Sequence, residues 1–287
     1  MIPPTLSNEG MRYWRLLPDA RLRAWVHCYW WVEPTKAERA EAASLPDLLL
    51  PDGHSELVFR FAGEFTRWPL GAAARARMNR SYLIGGRSRS VLTQSPGGLR
   101  LAGVKLDPRA LRSLLGVPLN EFCNTTVPFS ELRNRALLDL EDEVANLRDA
   151  GGLAEVLDRF FLRNLREDLQ DDATVDHFVE TLRATHGGQP VLEWARTHAV
   201  NLRTLERRFL ARMGMTPKQF ARVERFKHSY QRWKSLADAP SSTRAHLEGY
   251  YDESHFDREF RYFTGTSPFM RLREAVRFTT TIADHLL

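Results

Sequence analysis

A 51-residue repeat in the last third of this chain constrains its fold more than any other feature. Leu205-Glu206-Arg207-Arg208-Phe209 is followed, after four residues, by Gly214-Met215-Thr216-Pro217. The pattern returns as Phe256-Asp257-Arg258-Glu259-Phe260 and, four residues on, Gly265-Thr266-Ser267-Pro268. Apolar residues four apart lie on one face of a helix, with an Arg between them free to face away. Glycine tolerates the left-handed backbone that closes a helix, while Thr or Ser before Pro opens the next. Each copy therefore specifies a helix with an outward Arg, a sharp stop and a new helix.

Charge is concentrated in the same region. The chain has 287 residues and a formal charge of +5. The whole excess lies beyond residue 173, where 18 Lys/Arg face 13 Asp/Glu. Arg203, Arg207, Arg208, Arg212, Lys218, Arg222, Arg225, Lys227, Arg232 and Lys234 stand in 32 residues against Glu206 and Glu224 alone. Such a run is either a solvated helix face or a surface for phosphates, with affinity from counterion release. No apolar run is long enough to span a membrane, and Met1-Ile2-Pro3-Pro4 has no basic start to an export signal. Cys28 and Cys123 are the only cysteines, which fits free thiols in a reducing compartment. A cytoplasmic location is expected.

The length suggests two domains. We expect a β-rich, small barrel-like domain over 1–150, a helical linker over 151–173 and an all-α domain over 174–287, an α+β chain overall. Strands are expected at 24–32, 56–61, 82–84 and 99–106, where apolar and aromatic residues cluster or alternate. Pro51-Asp52-Gly53 and Pro96-Gly97-Gly98 mark turns, and 71–80 reads as a basic loop. Helices are expected at 110–115, 135–148 and 153–169. A further helix, capped by Thr174, runs to about 185. Pro190–Thr197, Asn201–Met213 and 217–236 follow. In the last, Phe220, Val223, Phe226, Tyr230 and Trp233 form one apolar stripe.

Two helix-turn-helix units result, at 190–213 and 242–264. Ala195 and Ala245 are small where paired helices must approach. In the first unit Leu202, Leu205 and Phe209 point inward and Arg203, Thr204, Arg207 and Arg208 outward. A recognition helix places residues near its N-terminus on base edges in the major groove, where Arg reads guanine through O6 and N7. Two units on one face of DNA would lie about 34 Å apart. The intervening helix of about 20 residues spans about 30 Å. Arg207 and Arg258 could instead bridge acidic neighbours, and His255 could cap or pack.

These motifs, above all Gly249-Tyr250-Tyr251-Asp252-Glu253-Ser254-His255-Phe256-Asp257-Arg258-Glu259-Phe260, resemble the DNA-binding domain of the AraC/XylS family of bacterial transcription regulators. The resemblance covers 174–277 and implies seven helices, two helix-turn-helix units and promoter binding. By motif position it marks Arg203, Glu206, Arg207, Glu253, Ser254 and Arg258 as base-reading or groove-facing. Thr204, Arg208, Lys218, His255 and Arg261 complete the expected DNA-binding set. The chain departs from the family's pattern at His198 and Ala199, which replace a common apolar residue and Gly, and at Arg244 and Glu248. The second unit is net acidic. We expect the first unit to supply most of the affinity.

Cys28-Tyr29-Trp30-Trp31-Val32-Glu33, Leu49-Leu50-Pro51-Asp52-Gly53-His54-Ser55-Glu56-Leu57-Val58-Phe59 and Gly103-Val104-Lys105-Leu106 with Leu115-Gly116-Val117-Pro118 resemble the N-terminal domain of one AraC-type subgroup. The resemblance implies a domain that binds an effector or dimerises. Trp30, Trp31 and Trp68 could line an apolar pocket or serve as core. A competing class is a metal-dependent enzyme using His27, His54 and Glu56. It lacks the further His and Glu that a cupin-type metal site needs, so solvent-facing or capping roles are expected for His54 and Glu56. The expected function is effector-responsive, sequence-specific transcription regulation without catalysis or cofactor. Expected partners are double-stranded promoter DNA, with RNA polymerase, a small-molecule effector and a second copy of the chain as candidates, and no membrane.

Overall fold

A computed structural model describes residues 4–7, 11–35, 46–78, 80–165, 172–235 and 253–268. The N-terminal region is built of two antiparallel sheets. The larger contains β1 (Leu6–Ser7), β2 (Met11–Leu16), β3 (Val26–Pro34), β5 (Ser55–Ala62), β8 (Ser81–Ile84), β10 (Arg100–Leu106) and β11 (Thr126–Pro128), in the order β1-β2-β3-β10-β5-β8-β11. The smaller has the order β4-β9-β6-β7, from β4 (Asp47–Leu49), β6 (Thr66–Pro69), β7 (Ala76–Arg77) and β9 (Val91–Gln94). Among the described residues the two sheets do not close into the expected barrel. They stack as a sandwich, and a short strand, β7, forms in the expected loop.

The central strands are buried on both faces, which explains their nearly continuous apolar sequence. In β3, Tyr29 and Trp31 join a core with α1 (Pro108–Leu115), α2 (Arg135–Ala145) and α3 (Leu153–Asn164), while Trp30 and Val32 face the smaller sheet. Leu57 and Phe59 follow the first pair, and Val58 the second. Gly103 leaves room for Trp30: a Cβ there would lie 2.4 Å from the indole ring. α3, in the expected linker, buries Leu153, Leu157 and Phe161 in this same core. Its expected continuation through 166–169 lies outside the described residues.

The helices beyond are α4 (Ala173–Ala184), α5 (Val191–Thr197), α6 (Leu202–Met213), α7 (Pro217–Ser235) and α8 (Glu253–Thr264). The cap of α4 is Asp172 rather than Thr174: its carboxylate accepts from Val175 N at 3.0 Å, while both its oxygens also bind Arg208. One carboxylate accepting from Val175 N and two guanidinium nitrogens of Arg208, close to the positive end of the helix, outcompetes a hydroxyl two residues later. The outer face of the smaller sheet, through Leu48 and Leu92, packs on α7 and α8 together with Leu50 and Leu70. The molecule thus stacks as helices, large sheet, small sheet and helices.

Candidate nucleic-acid interface and the seam behind it

The first helix-turn-helix unit is closed mainly by its own helices, with Cys123 packed at the margin of its core and Leu119 N–H donating to Ala211 O at 2.8 Å. Asn201 caps α6 by accepting from Thr204 N at 3.1 Å, and Gly214 ends it at φ 73° with its N–H on Leu210 O. Ala195, Leu205, Phe209 and Met213 lock with Val175, Phe178, Val179, Leu182, Trp194 and Phe220 into a core of α4 to α7. The two family departures in the turn have local explanations. Ala199 adopts φ 52°, the left-handed geometry that favours glycine. His198 stacks on Trp194 with ring centroids 4.0 Å apart, and its Nδ1 lies 2.9 Å from Trp194 O. An imidazole with an apolar face replaces an aliphatic side chain there.

With that face buried, Arg203, Glu206 and Arg207 are exposed along the opposite face of α6, Thr204 is half-buried beside them, and Lys218 is exposed at the start of α7. Arg203, Arg207 and Lys218 have no ion-pair partner among the described residues, so their charges are available to a polyanion. The basic run as a whole is not. Arg208, expected to point outward, is held by Asp172 at 2.7 Å. Arg212 is buried against Asp176 at 2.8 Å, Arg222 pairs with Glu259 and lies 3.7 Å from the Tyr262 ring, and Lys227 pairs with Glu224. Arg208, Arg212 and Arg222 sit where their helix meets another element of the helical region, and Lys227 where α7 meets the Asp52 turn, so a carboxylate there offsets the desolvation.

Of the second unit, α8 is described. The expected leading helix 242–248, with Arg244, Ala245 and Glu248, and the turn 249–252 lie outside the described residues, as does the side chain of Glu253. Ser254 and Arg258 are exposed, His255 is half-buried, and the exposed Arg261 is ion-paired with Asp257 at 2.7 Å. Phe256, Phe260 and Phe263 are buried, but against a mixed surface: Val223, Phe226, Tyr230 and Trp233 of α7, plus Leu48, Leu50, Leu70 and Leu92 of the N-terminal region. Ser90 Oγ donates to Phe263 O across the same contact.

The Pro51-Asp52-Gly53 motif, legible in sequence only as a turn, is part of a seam with α7. Gly53 has φ 79°, and a Cβ there would meet Glu224 Oε1 at 2.9 Å and the Phe220 ring at 3.2 Å. Lys227 Nζ lies 3.5 Å from Asp52 O. Burial would raise the Asp52 carboxyl, but the ion pair with buried Lys105, the hydrogen bond from His54 and the charge of Arg87 hold it well below the usual carboxylate range. Farther along, Asp107 is bound by Arg109 and Arg183, and Arg109 reaches Glu180 at 2.8 Å. A cavity of about 400 Å³ opens along the seam, walled by His27, His54, Asp107, Arg183, His186, Glu224, Lys227 and His228 among others. Desolvation pulls the His27 imidazole down to about 3, so the ring is neutral.

The proposed metal set is not completed: the His27 and His54 rings lie 4.9 Å apart, centroid to centroid, but Glu56 does not join them. His54 faces Asp52 at 3.7 Å, and Glu56, expected to be solvent-facing or capping, is buried and hydrogen-bonded to Arg87 at 3.1 Å. The strand is covered on both faces, so its polar positions turn inward to one another. Among the described residues no three His, Cys, Asp or Glu side chains are grouped to hold a metal. Cys28 is buried and Cys123 half-buried, both with thiols raised by desolvation, the opposite of an activated nucleophile. No described helix is long and apolar enough to cross a membrane. The burial of Asp52, Arg67, Arg87 and Lys105 escaped the sequence reading, whereas Asp107 caps α1 as the Asp-Pro pair implies. For Lys105 the signal was a charged residue inside a both-faces-apolar strand, Gly103-Val104-Lys105-Leu106.

Residues 194–273 match a family described as a helix-turn-helix domain, and residues 14–128 match a domain of unknown function, DUF6597. No curated protein matches the sequence. Among solved structures, ToxT from Vibrio cholerae aligns at 15% identity over 80% of this chain and 95% of its own, with a TM-score of 0.44. Unsaturated fatty acid bound wild-type ToxT from Vibrio cholerae strain SCE256 aligns at 10% identity over 84% of this chain and 100% of its own, with a TM-score of 0.47. Ectoine synthase from P. lautus aligns at 13% over 36% of this chain and 67% of its own, with a TM-score of 0.27. The chain thus carries a helix-turn-helix domain over 194–273 and, before it, a domain of unknown function over 14–128.

Proposed function

We propose that this chain is a transcription regulator that reads promoter DNA through α6 and, more weakly, through the second unit, and that its N-terminal region makes it effector-responsive. Residues 174–287 form the DNA-binding part, 1–150 the regulatory part and 151–173 the link. The observation that carries this reading is the face of α6: exposed, unpartnered Arg203 and Arg207 on a capped helix whose opposite face is locked into a core. Arg203, Glu206 and Arg207 are the base-reading candidates, with Thr204 and Lys218 on phosphates. Ser254, His255 and Arg258, with Glu253, contribute from α8. Arg208, tied to Asp172, holds α6 to α4 rather than leads recognition, while Arg261, paired with Asp257 on its own helix, stays exposed beside them. Contact with RNA polymerase and pairing of two copies fit the same role, and no catalytic group is assigned.

Gel shift with the DNA upstream of its own gene, across a salt series, tests the proposal. We expect binding to prefer this DNA over random sequence and log affinity to fall with log salt at about 0.9 per phosphate contacted. Salt-independent binding, or equal affinity for random DNA, overturns it.

A further inference from the structure

The face of α6 opposite Arg203 and Arg207 is tied down by carboxylates of α4. Arg208 binds Asp172, and one turn later Arg212 binds Asp176, its Nε on Oδ1 and its Nη2 on Oδ2, both at 2.8 Å. Asp176 has a second cation, and it comes from the N-terminal region. Arg109 of α1, itself buried, reaches the same Oδ1 at 3.4 Å and Glu180, one turn along α4, at 2.8 Å. On its own side Arg109 binds both oxygens of Asp107, and Arg183 of α4 crosses back to Asp107 at 2.8 Å. Burial alone would raise the Asp107 carboxyl, but Arg183 and Arg109 hold it below the usual carboxylate range, so it is ionised near neutral pH.

The backbone repeats this grip. Leu119, after α1, donates its N–H to Ala211 O at 2.8 Å. Ala211 lies in the last turn of α6, where carbonyls run out of donors within their own helix. The N-terminal region thus meets the C-terminal end of α6 twice, once by a backbone cap and once through the Arg109-Asp176-Arg212 relay. Arg212 follows Arg203 by nine residues, about 14 Å along the axis. A tilt of a few degrees over that length moves a guanidinium by about 1 Å, enough to lose a paired hydrogen bond to a base.

We propose that Arg109 is a positioning residue for DNA reading. Through Asp176 it holds Arg212, and with it the end of α6, in the orientation that presents Arg203 and Arg207. The role rests on the regulator reading above. The core of the first unit is built without Arg109, so the helices stay folded when it is lost and only the placement of α6 suffers.

Gel shift of the full chain on the DNA upstream of its own gene, and on random DNA of equal length, tests this below the unfolding temperature of every variant. Arg109→Met should lower affinity for the upstream DNA roughly tenfold and for random DNA by less than about twofold. The slope of log affinity against log salt should not change, because a buried guanidinium contacts no phosphate. In an Arg207→Ala background the same change should cost less than about twofold, since the side chain it positions is gone. Glu180→Gln, at the exposed edge of the cluster, removes one anion from Arg109 with little risk to folding, and should lower upstream affinity roughly threefold with Tm kept. Upstream affinity unchanged in both Arg109→Met and Glu180→Gln overturns the role. So does a loss shared equally by random DNA, or one undiminished beside Arg207→Ala. A wild-type chain with no preference for the upstream DNA overturns the regulator reading and this role together, whereas a preference that both variants keep overturns this role alone.

Discussion

The two copies of the repeat are near twins in sequence and differ in what completes their cores. The first closes its apolar core mainly on its own helices, where Leu205 and Phe209 meet Val175, Phe178, Trp194 and Phe220 of α4 to α7, and takes from the N-terminal region Cys123 at its margin and a hydrogen bond from Leu119 N to Ala211 O. The second, through Phe256, Phe260 and Phe263, leans on α7 and also on Leu48, Leu50, Leu70 and Leu92 of the N-terminal region. A unit with its own core keeps its geometry when its neighbour moves, whereas one with a borrowed core does not. Regulation acting through the sandwich should therefore reach the second unit first, while the first anchors the chain to DNA.

The largest effect that can break this comparison is in the borrowed core. Leu50→Ala should cost about 2–5 kcal/mol. Amide exchange should rise across 253–264 and stay unchanged across 202–213. Equal loosening of both helices would show that the second unit borrows nothing. Next comes recognition. Arg207→Ala should weaken DNA binding by about 1–3 kcal/mol, and Arg258→Ala by less, since the second unit is acidic. Affinities in the reverse order sink the ranking.

A third test addresses the seam. Gly53→Ala places a methyl group against Glu224 and Phe220 in a left-handed backbone, so it should destabilise by about 1–3 kcal/mol. Trypsin should then cut more readily in the region joining the two parts, with cleavage inside α6 unaffected. The smallest expected effect is a gain. Ala199→Gly relieves a left-handed alanine, and should stabilise the first unit by about 0.5–1 kcal/mol in thermal unfolding without altering DNA specificity.

How far the sequence could be read depended on the range of the interaction. Asn201 as cap, Gly214 as stop and the Phe220-to-Trp233 stripe were legible because each is governed by neighbours within one or two helical turns. Arg208 and Arg212 were misread as free because their partners, Asp172 and Asp176, lie 36 residues away. Glu56 and His54 looked like surface groups or metal ligands. A strand's alternation shows which residues share a face, but not whether that face meets water or a second sheet.

Local patterning alone thus determined the first helix-turn-helix unit and the helix α8 after a β-rich region, because helix periodicity, caps and turn residues act at short range. Tertiary structure alone decided which charges of the basic run remain free for DNA and that the Pro51-Asp52-Gly53 turn is a joint with α7. Those outcomes depend on which distant carboxylate, ring or sheet arrives beside a residue, and burial then sets how much each meeting is worth.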